Sequence, residues 1–213
     1  MIHIAINTCA GTMDGELLAR RGSYNNPHKH PYIDRASKLT HILDLYHQHL
    51  PEVNIVVVGE WHPGEGYTYI HDPGATKSPE DQAQQRQAAT PPYAADDDII
   101  VYLNDDHFLL PTDLPYLCYW MKRDDIEIAA FKRAIWTAGS VEPIEDGWPN
   151  YIHGHGNAST LRAARVARWG DIDPHLGVTA DIQYTGIVRH LGLTFERAPI
   201  AIYDCEVGDV PDV

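Results

Sequence analysis

Asp105 and Asp106 stand side by side, directly after the apolar run "IIVYLN" (99–104) and before His107. Adjacent carboxylates repel, so the pair needs a counter-charge or full solvation. Such oxygen ligands suit a hard divalent cation, Mg²⁺ or Mn²⁺, which could bridge to a diphosphate and neutralise a leaving group. The plain alternative is a solvated turn with helix-capping aspartates. His153 and His155 lie two apart and would share one face of an extended segment. They could bind metal or contact phosphate, or be a loop pair with neither role. A metal site would draw on Asp105 and Asp106, with His155 as a further candidate. Arg162, Arg165 and Arg168 recur every three residues. They read as a solvated face or as a stripe that steers a diphosphate or an anionic acceptor.

These side chains need elements to position them. "IHIAIN" (2–7) reads as a strand and 10–33 as a long loop, with "HKH" (28–30) inside it. Asp34 could cap a helix through "RASKLTHILDLYHQH", where Leu39, Ile42, Leu43 and Tyr46 share a face, and Pro51 ends it. Strands are expected at 53–59 and 98–104, both apolar throughout, as in strands covered on two faces. Between them lie a Gly/Pro-rich loop (61–75) and a helix (78–89) with Ser78 as N-cap and Pro79 at its first position. A helix at 112–123, a segment at 126–136 that reads as a strand with a helix as the alternative, and a Gly/Pro/Trp-rich loop at 137–157 follow. Helices are expected at 158–170 and at 179–192, the latter with Thr179 as cap and Gly192 at its end. One or two strands close the chain.

Strands alternating with helices predict a three-layer α/β domain with a mostly parallel central sheet, one domain over 1–213. Ligands in such folds bind beyond the carboxyl ends of the strands. That gathers Asn7–Thr8, Gly59–Glu60 and Asn104–Asp106 around one crevice.

The 213 residues, 44% of them hydrophobic, suffice for one sizeable core. A net charge of -14 argues against general nucleic-acid or anionic-membrane binding. No stretch approaches a membrane span, and the start "MIHIAINTCAGT" lacks the pattern of a signal peptide. Cys9, Cys118 and Cys205 are odd in number and far apart, so reduced cysteines in a cytoplasmic protein are expected.

"IIVYLNDDHFLLPTDL" resembles the strand-to-acidic-motif segment of nucleotide-sugar-dependent glycosyltransferases with the Rossmann-like A-type fold, in particular the inverting group. The resemblance makes Asn104-Asp105-Asp106 the Asp-x-Asp-like motif, with Asn104 in place of the first Asp and Asp106 as the metal ligand. It divides the chain into a nucleotide-binding half to about residue 107 and an acceptor-binding half from 108. It also implies donor contacts from Glu60, and from Arg86 in "QQRQAA", for which a solvated helix face is the alternative. "WGDIDPHLGVTADIQYTGIVRHLGLTFER" resembles a second signature of the family. Asp181 there takes the position of the general base, and Ala180 stands where Glu often precedes it. "IHGHGNASTLR" (152–162) resembles the turn that lines the acceptor and sugar pocket, which implicates His153, Gly154 and Gly156; Trp148 is a candidate for sugar stacking.

The expected activity is metal-dependent glycosyl transfer from a nucleotide-diphosphate sugar to a hydroxyl acceptor, inverting, with Asp181 as base and Mn²⁺ or Mg²⁺ as cofactor. Asn7, Thr8, Glu60, Arg86, Asn104 and Asp105 would contact the donor. Three rivals stand beside it: a bacteriophage-type DNA base glycosyltransferase, a nucleotidyltransferase that releases pyrophosphate, and a non-catalytic nucleotide- or sugar-binding domain.

Overall fold

A computed structural model describes residues 1–8, 35–73, 79–137, 139–144, 151–154, 156–176, 178–205 and 209–211. Trp148, His155, Cys9, the 28–30 histidines and the expected caps Asp34 and Ser78 lie outside these residues.

The strands are β1 (Ile2–Asn7), β2 (Asn54–Gly59), β3 (Thr68–His71), β4 (Ile99–Asn104), β5 (His107–Phe108), β6 (Ile128–Thr137), β7 (Ser140–Ile144), β8 (Gly156–Thr160) and β9 (Phe195–Asp204). The helices are α1 (Arg35–His49), α2 (Pro79–Ala89), α3 (Asp113–Arg123), α4 (Leu161–Val166) and α5 (Ala180–His190). One sheet runs in the order β3-β2-β1-β4-β8-β6-β9-β5, with β7 on β6. The β3-β2-β1-β4 half is parallel throughout, and β6 and β9 also run parallel. Strand β8 enters antiparallel between β4 and β6, and β5 and β7 add antiparallel pairs.

The apolar strands follow from cover on two faces. Ile4, Ile6, Ile55, Val57, Ile99, Val101 and Leu103 pack with Leu39, Ile42, Leu43 and Tyr46 of α1 and Leu114, Leu117 and Met121 of α3. The alternate residues Ala5, Val56, Val58, Ile100 and Tyr102 pack against Ala83 of α2, Leu161 of α4 and Tyr184 and Val188 of α5. The chain thus adopts the expected three-layer α/β architecture, which is Rossmann-like. Among the described residues no helix is long and apolar enough to cross a membrane. Cys118 and Cys205 are free thiols.

Three expectations need correction. Residues 68–71 form edge strand β3 inside the expected loop, and 140–144 form β7. The helix expected over 158–170 is a strand to Thr160 and a helix only over Leu161–Val166. Pairing of Ala158 and Thr160 with β4 overrides local helix propensity there. Thr160 then switches the chain into the helix, its Oγ1 accepting from Ala163 N–H at 3.2 Å. The final segment is a single strand.

Candidate active site at the strand ends

The carboxyl ends of β1, β2 and β4 are tied together by backbone. Thr8 N–H donates to Val58 O at 2.9 Å, and Asp105 N–H to Asn7 O at 3.1 Å. Side chains fix the junction further. Thr8 Oγ1 donates to Asp105 Oδ2 at 2.8 Å, and Gln85 Nε2 of α2 donates to Thr8 O at 3.1 Å. Gln85 was not singled out by its sequence position, although it adjoins Arg86. The Asn7 Oδ1 atom is buried at the same strand end without a hydrogen-bond partner, an acceptor suited to a polar ligand.

Replacing Thr8 by Val keeps the shape and removes the bond to a buried carboxylate. The expected loss is about 2 kcal/mol, with Thr8→Ser retaining most of it. Denaturant unfolding of the two variants measures the difference.

Asn104 is joined to the second half of the chain. Its Oδ1 accepts from Arg86 Nη2 at 3.0 Å and its Nδ2 donates to Gly154 O at 3.3 Å. Arg86 Nη2 also donates to Gly154 O, at 2.5 Å. At the same residue, Gly154 N–H donates to Asp181 Oδ2 at 3.4 Å. Asn104, Arg86, Gly154 and Asp181 therefore form one hydrogen-bonded chain across the sheet end. An amide suits position 104 because it accepts and donates at once. Aspartate there would set a carboxylate oxygen against the Gly154 carbonyl.

Arg86 does not lie on a solvated helix face. It is among the largest fully buried side chains, with its guanidinium 4.5 Å over the Trp169 ring. Trp169 in turn stacks on Tyr184, centroids 3.8 Å apart and planes 7° apart. Burial pulls the Arg86 guanidinium down to about 10, against which the neighbouring Tyr102, Tyr184 and Asp181 act weakly.

Asp181 stands in the first turn of α5, where Ile182 N–H donates to its Oδ1 at 3.1 Å. Thr185 Oγ1 accepts from Ile152 N–H at 3.1 Å and donates to Asp181 O at 2.8 Å, so α5 holds the 151–154 segment. His153 is half-buried and meets the Tyr151 ring edge-on at 4.8 Å. The Tyr151 hydroxyl reaches Thr179 Oγ1 at 3.4 Å. Burial, and secondarily the Asp181 carboxylate, push the Tyr151 phenol far above its ordinary value. Tyr151 and Thr179 thus join Asp181; only Thr179 had stood out, as a helix cap, and it makes no side-chain cap bond. Gly156 sits within the sheet, where a Cβ would lie 2.7 Å from Tyr102 O.

Asp105 and Asp106 are both buried, at 3% and 5% exposure. Asp106 Oδ1 lies 2.6 Å from His107 Nδ1, and Asp106 O accepts from Cys205 N–H at 2.7 Å. Two buried carboxylates with oxygen donors fit a hard divalent cation by their chemistry. Among the described residues, no three His, Cys, Asp or Glu side chains gather to hold an ion alone. A cation held by this pair would need further ligands beyond Asp105 and Asp106.

Glu60 is exposed at the end of β2. Its carbonyl and that of Gly59 each accept from Tyr69 OH at 2.8 Å, which also lies 2.9 Å from His71 Nδ1. Tyr69 and His71 come from the strand that the sequence hid. The arginine stripe lies elsewhere. Arg162 pairs with Glu127, Arg165 with Asp96 at 2.6 Å and Arg168 with Asp171 at 3.9 Å. Asp96 precedes β4 and Asp105 follows it, so the Arg165 pair sits at the opposite pole of the sheet from the acidic pair.

Neither a family model nor a curated protein matches the chain. Solved structures do. A chain assigned as a glucose-1-phosphate thymidylyltransferase from Bacillus anthracis, in complex with a sucrose, aligns over 100% of this chain and 98% of its own, at TM-score 0.53 and 11% identity. A CMP:2-keto-3-deoxy-manno-octonic acid synthetase complexed with CTP aligns over 93% and 90%, at TM-score 0.50 and 12% identity. At these identities the likeness is one of fold, and the chain shares its Rossmann-like mixed α/β architecture with both.

Proposed function

We propose that this chain is a transferase acting on a nucleotide-activated sugar, and that it moves the glycosyl group to a hydroxyl acceptor. The observation that carries this reading is the hydrogen-bonded chain Asn104–Arg86–Gly154–Asp181, which couples the acidic strand end to a second carboxylate. In this reading Asn7, Thr8, Glu60 and the 104–106 segment bind the donor. Asp105 and Asp106 would hold Mg²⁺ or Mn²⁺, which supplies charge neutralisation at the diphosphate. Asp181, oriented by two backbone N–H groups, takes the proton from the acceptor hydroxyl as the oxygen attacks the anomeric carbon. The bond to the nucleoside diphosphate breaks on the opposite face, so the product has inverted configuration. His153, Gly154 and Gly156, with Trp148 and His155, would border the acceptor.

The two fold relatives favour a second reading. Their names describe nucleotidyl transfer, which consumes a nucleoside triphosphate and releases pyrophosphate. One assay separates the readings. The protein is incubated with a panel of nucleotide sugars and hydroxyl acceptors, or with nucleoside triphosphates and sugar phosphates, with and without Mn²⁺. Release of nucleoside diphosphate with a metal requirement supports glycosyl transfer; pyrophosphate supports the alternative; binding without turnover rejects both. Asp181→Asn and Asp106→Asn are expected to lower turnover by about 10²-fold or more. Full activity in both would overturn the residue roles.

A further inference from the structure

The backbone around the acidic pair is clamped by its neighbours. Asp105 N–H donates to Asn7 O of β1 at 3.1 Å, and Cys205 N–H, just past β9, donates to Asp106 O at 2.7 Å. Further along, Phe108 stacks on Tyr46 of α1, centroids 5.3 Å apart, and Leu109 N–H donates to the Tyr46 hydroxyl at 2.9 Å. What such pairing leaves loose is the plane of the Asp106 carboxylate, because the terminal torsion of an aspartate has only a broad preference. A carboxylate that is to hold a cation needs that plane set in advance, since its lone pairs lie in it.

We infer that His107 sets it: the imidazole is a positioning residue that orients the Asp106 carboxylate for a divalent cation. The inference rests on the proposed role of Asp106 as a metal ligand. His107 Nδ1 lies 2.6 Å from Asp106 Oδ1, and both side chains are buried, at 3% and 7% exposure. A contact that short holds one proton, and Nδ1–H donates to the carboxylate oxygen. The ring is fixed by its strand, because His107 opens β5 and pairs with Asp204 of β9. Asp204 is itself paired with Arg133 Nη2 at 2.5 Å, so its charge is balanced by a guanidinium while Asp106 receives an imidazole. The difference matters for metal binding. A guanidinium on Asp106 would neutralise the carboxylate and compete with the cation; an Nδ1–H donor orients it and leaves its charge in place.

Two substitutions separate the donor from the ring. The amide nitrogen of His107→Asn stands at the same distance along the side chain as imidazole Nδ1, whereas that of His107→Gln lies one carbon farther out. Mn²⁺ alone is titrated into the full chain and the free ion read by electron paramagnetic resonance, with circular dichroism and urea unfolding to verify the fold of each variant. His107→Gln is expected to weaken Mn²⁺ binding at least about tenfold, and His107→Asn to stay within about threefold of the unaltered chain. Equal affinity in all three, or an equal loss in both variants, overturns the positioning role. A second measurement uses the unaltered chain only. Its ¹⁵N-histidine spectrum, with the His107 ring assigned through the backbone, is expected to show a proton on Nδ1; a ring protonated on Nε2 alone overturns the inference. Asp106→Asn tests the reading beneath it. If the unaltered chain takes up no Mn²⁺, or Asp106→Asn takes it up unchanged, the metal role of Asp106 falls and the inference with it. If Asp106→Asn loses the ion while His107→Gln keeps it, the metal role stands and His107 alone is overturned.

Discussion

Arg86→Met is expected to abolish most turnover while leaving the fold nearly as stable as before. Two opposing terms give that result. Holding a guanidinium at about 10 instead of 12.5 costs the folded state about 3 kcal/mol in its charged form. Methionine relieves that cost and keeps the bulk. Against this, the Asn104 and Gly154 oxygens lose their shared donor and Trp169 loses its cation. Those losses amount to about 1–3 kcal/mol for the hydrogen bonds, and about 2 kcal/mol more for the desolvated cation over the ring. The sum stays within about 2 kcal/mol of zero. The positional effect does not cancel. Gly154 N–H holds the Asp181 carboxylate, so losing Arg86 loosens that carboxylate from the strand ends; with Asp181 as the proposed base, misplacement of about 1 Å lowers rates about 10²-fold. Arg86→Lys restores the charge but not the planar fork, so it recovers only part of the rate. Urea unfolding, turnover, and hydrogen exchange of the Gly154 amide are the measurements. A stability loss above about 5 kcal/mol, or unchanged turnover and exchange, would refute the positioning role.

The same residue shows where reading the sequence stops. Strands β1, β2 and β4 were legible because both faces are covered, leaving uninterrupted apolar runs. The acidic pair was legible because it follows such a run directly. Asn104 read only as a missing aspartate, since the partner that makes an amide the better residue lies 50 positions away. Arg86 read as a solvated helix face or, through the family resemblance, as phosphate-facing. Its burial comes from Trp169 and Tyr184, which arrive from the far end of the chain. Strand β8 was hidden for a related reason: "ASTLRAARVARWG" has helix-forming composition, and only the vacant edge of β4 makes its first residues extended. Short edge strand β3 was masked by flanking Gly and Pro, so Tyr69 and His71 escaped notice.

Gly59→Ala is expected to damage fold and site together. A Cβ at position 59 would lie 2.5 Å from Thr8 O and 2.6 Å from Thr8 Cγ2. The first atom is backbone, and three hydrogen bonds pin the residue it belongs to. Thr8 N–H is tied to Val58 O, Thr8 O to Gln85, and Thr8 Oγ1 to Asp105. Relief must therefore come from the chain itself, by spreading β1 from β2 where they end. Overpacking of this kind costs about 3 kcal/mol, here with a weakened Thr8–Asp105 bond in addition. The contrast with Gly64 is the control. Gly64 has φ +98 and open space around it, so alanine there meets only the conformational cost of about 1 kcal/mol. Thermal and urea unfolding should rank Gly59→Ala well below Gly64→Ala. Donor affinity, measured by calorimetry with a nucleoside diphosphate and Mn²⁺, should fall only in the first. The reason is positional: Asp105 reaches its place through Thr8, and Thr8 can sit there only because residue 59 has no side chain.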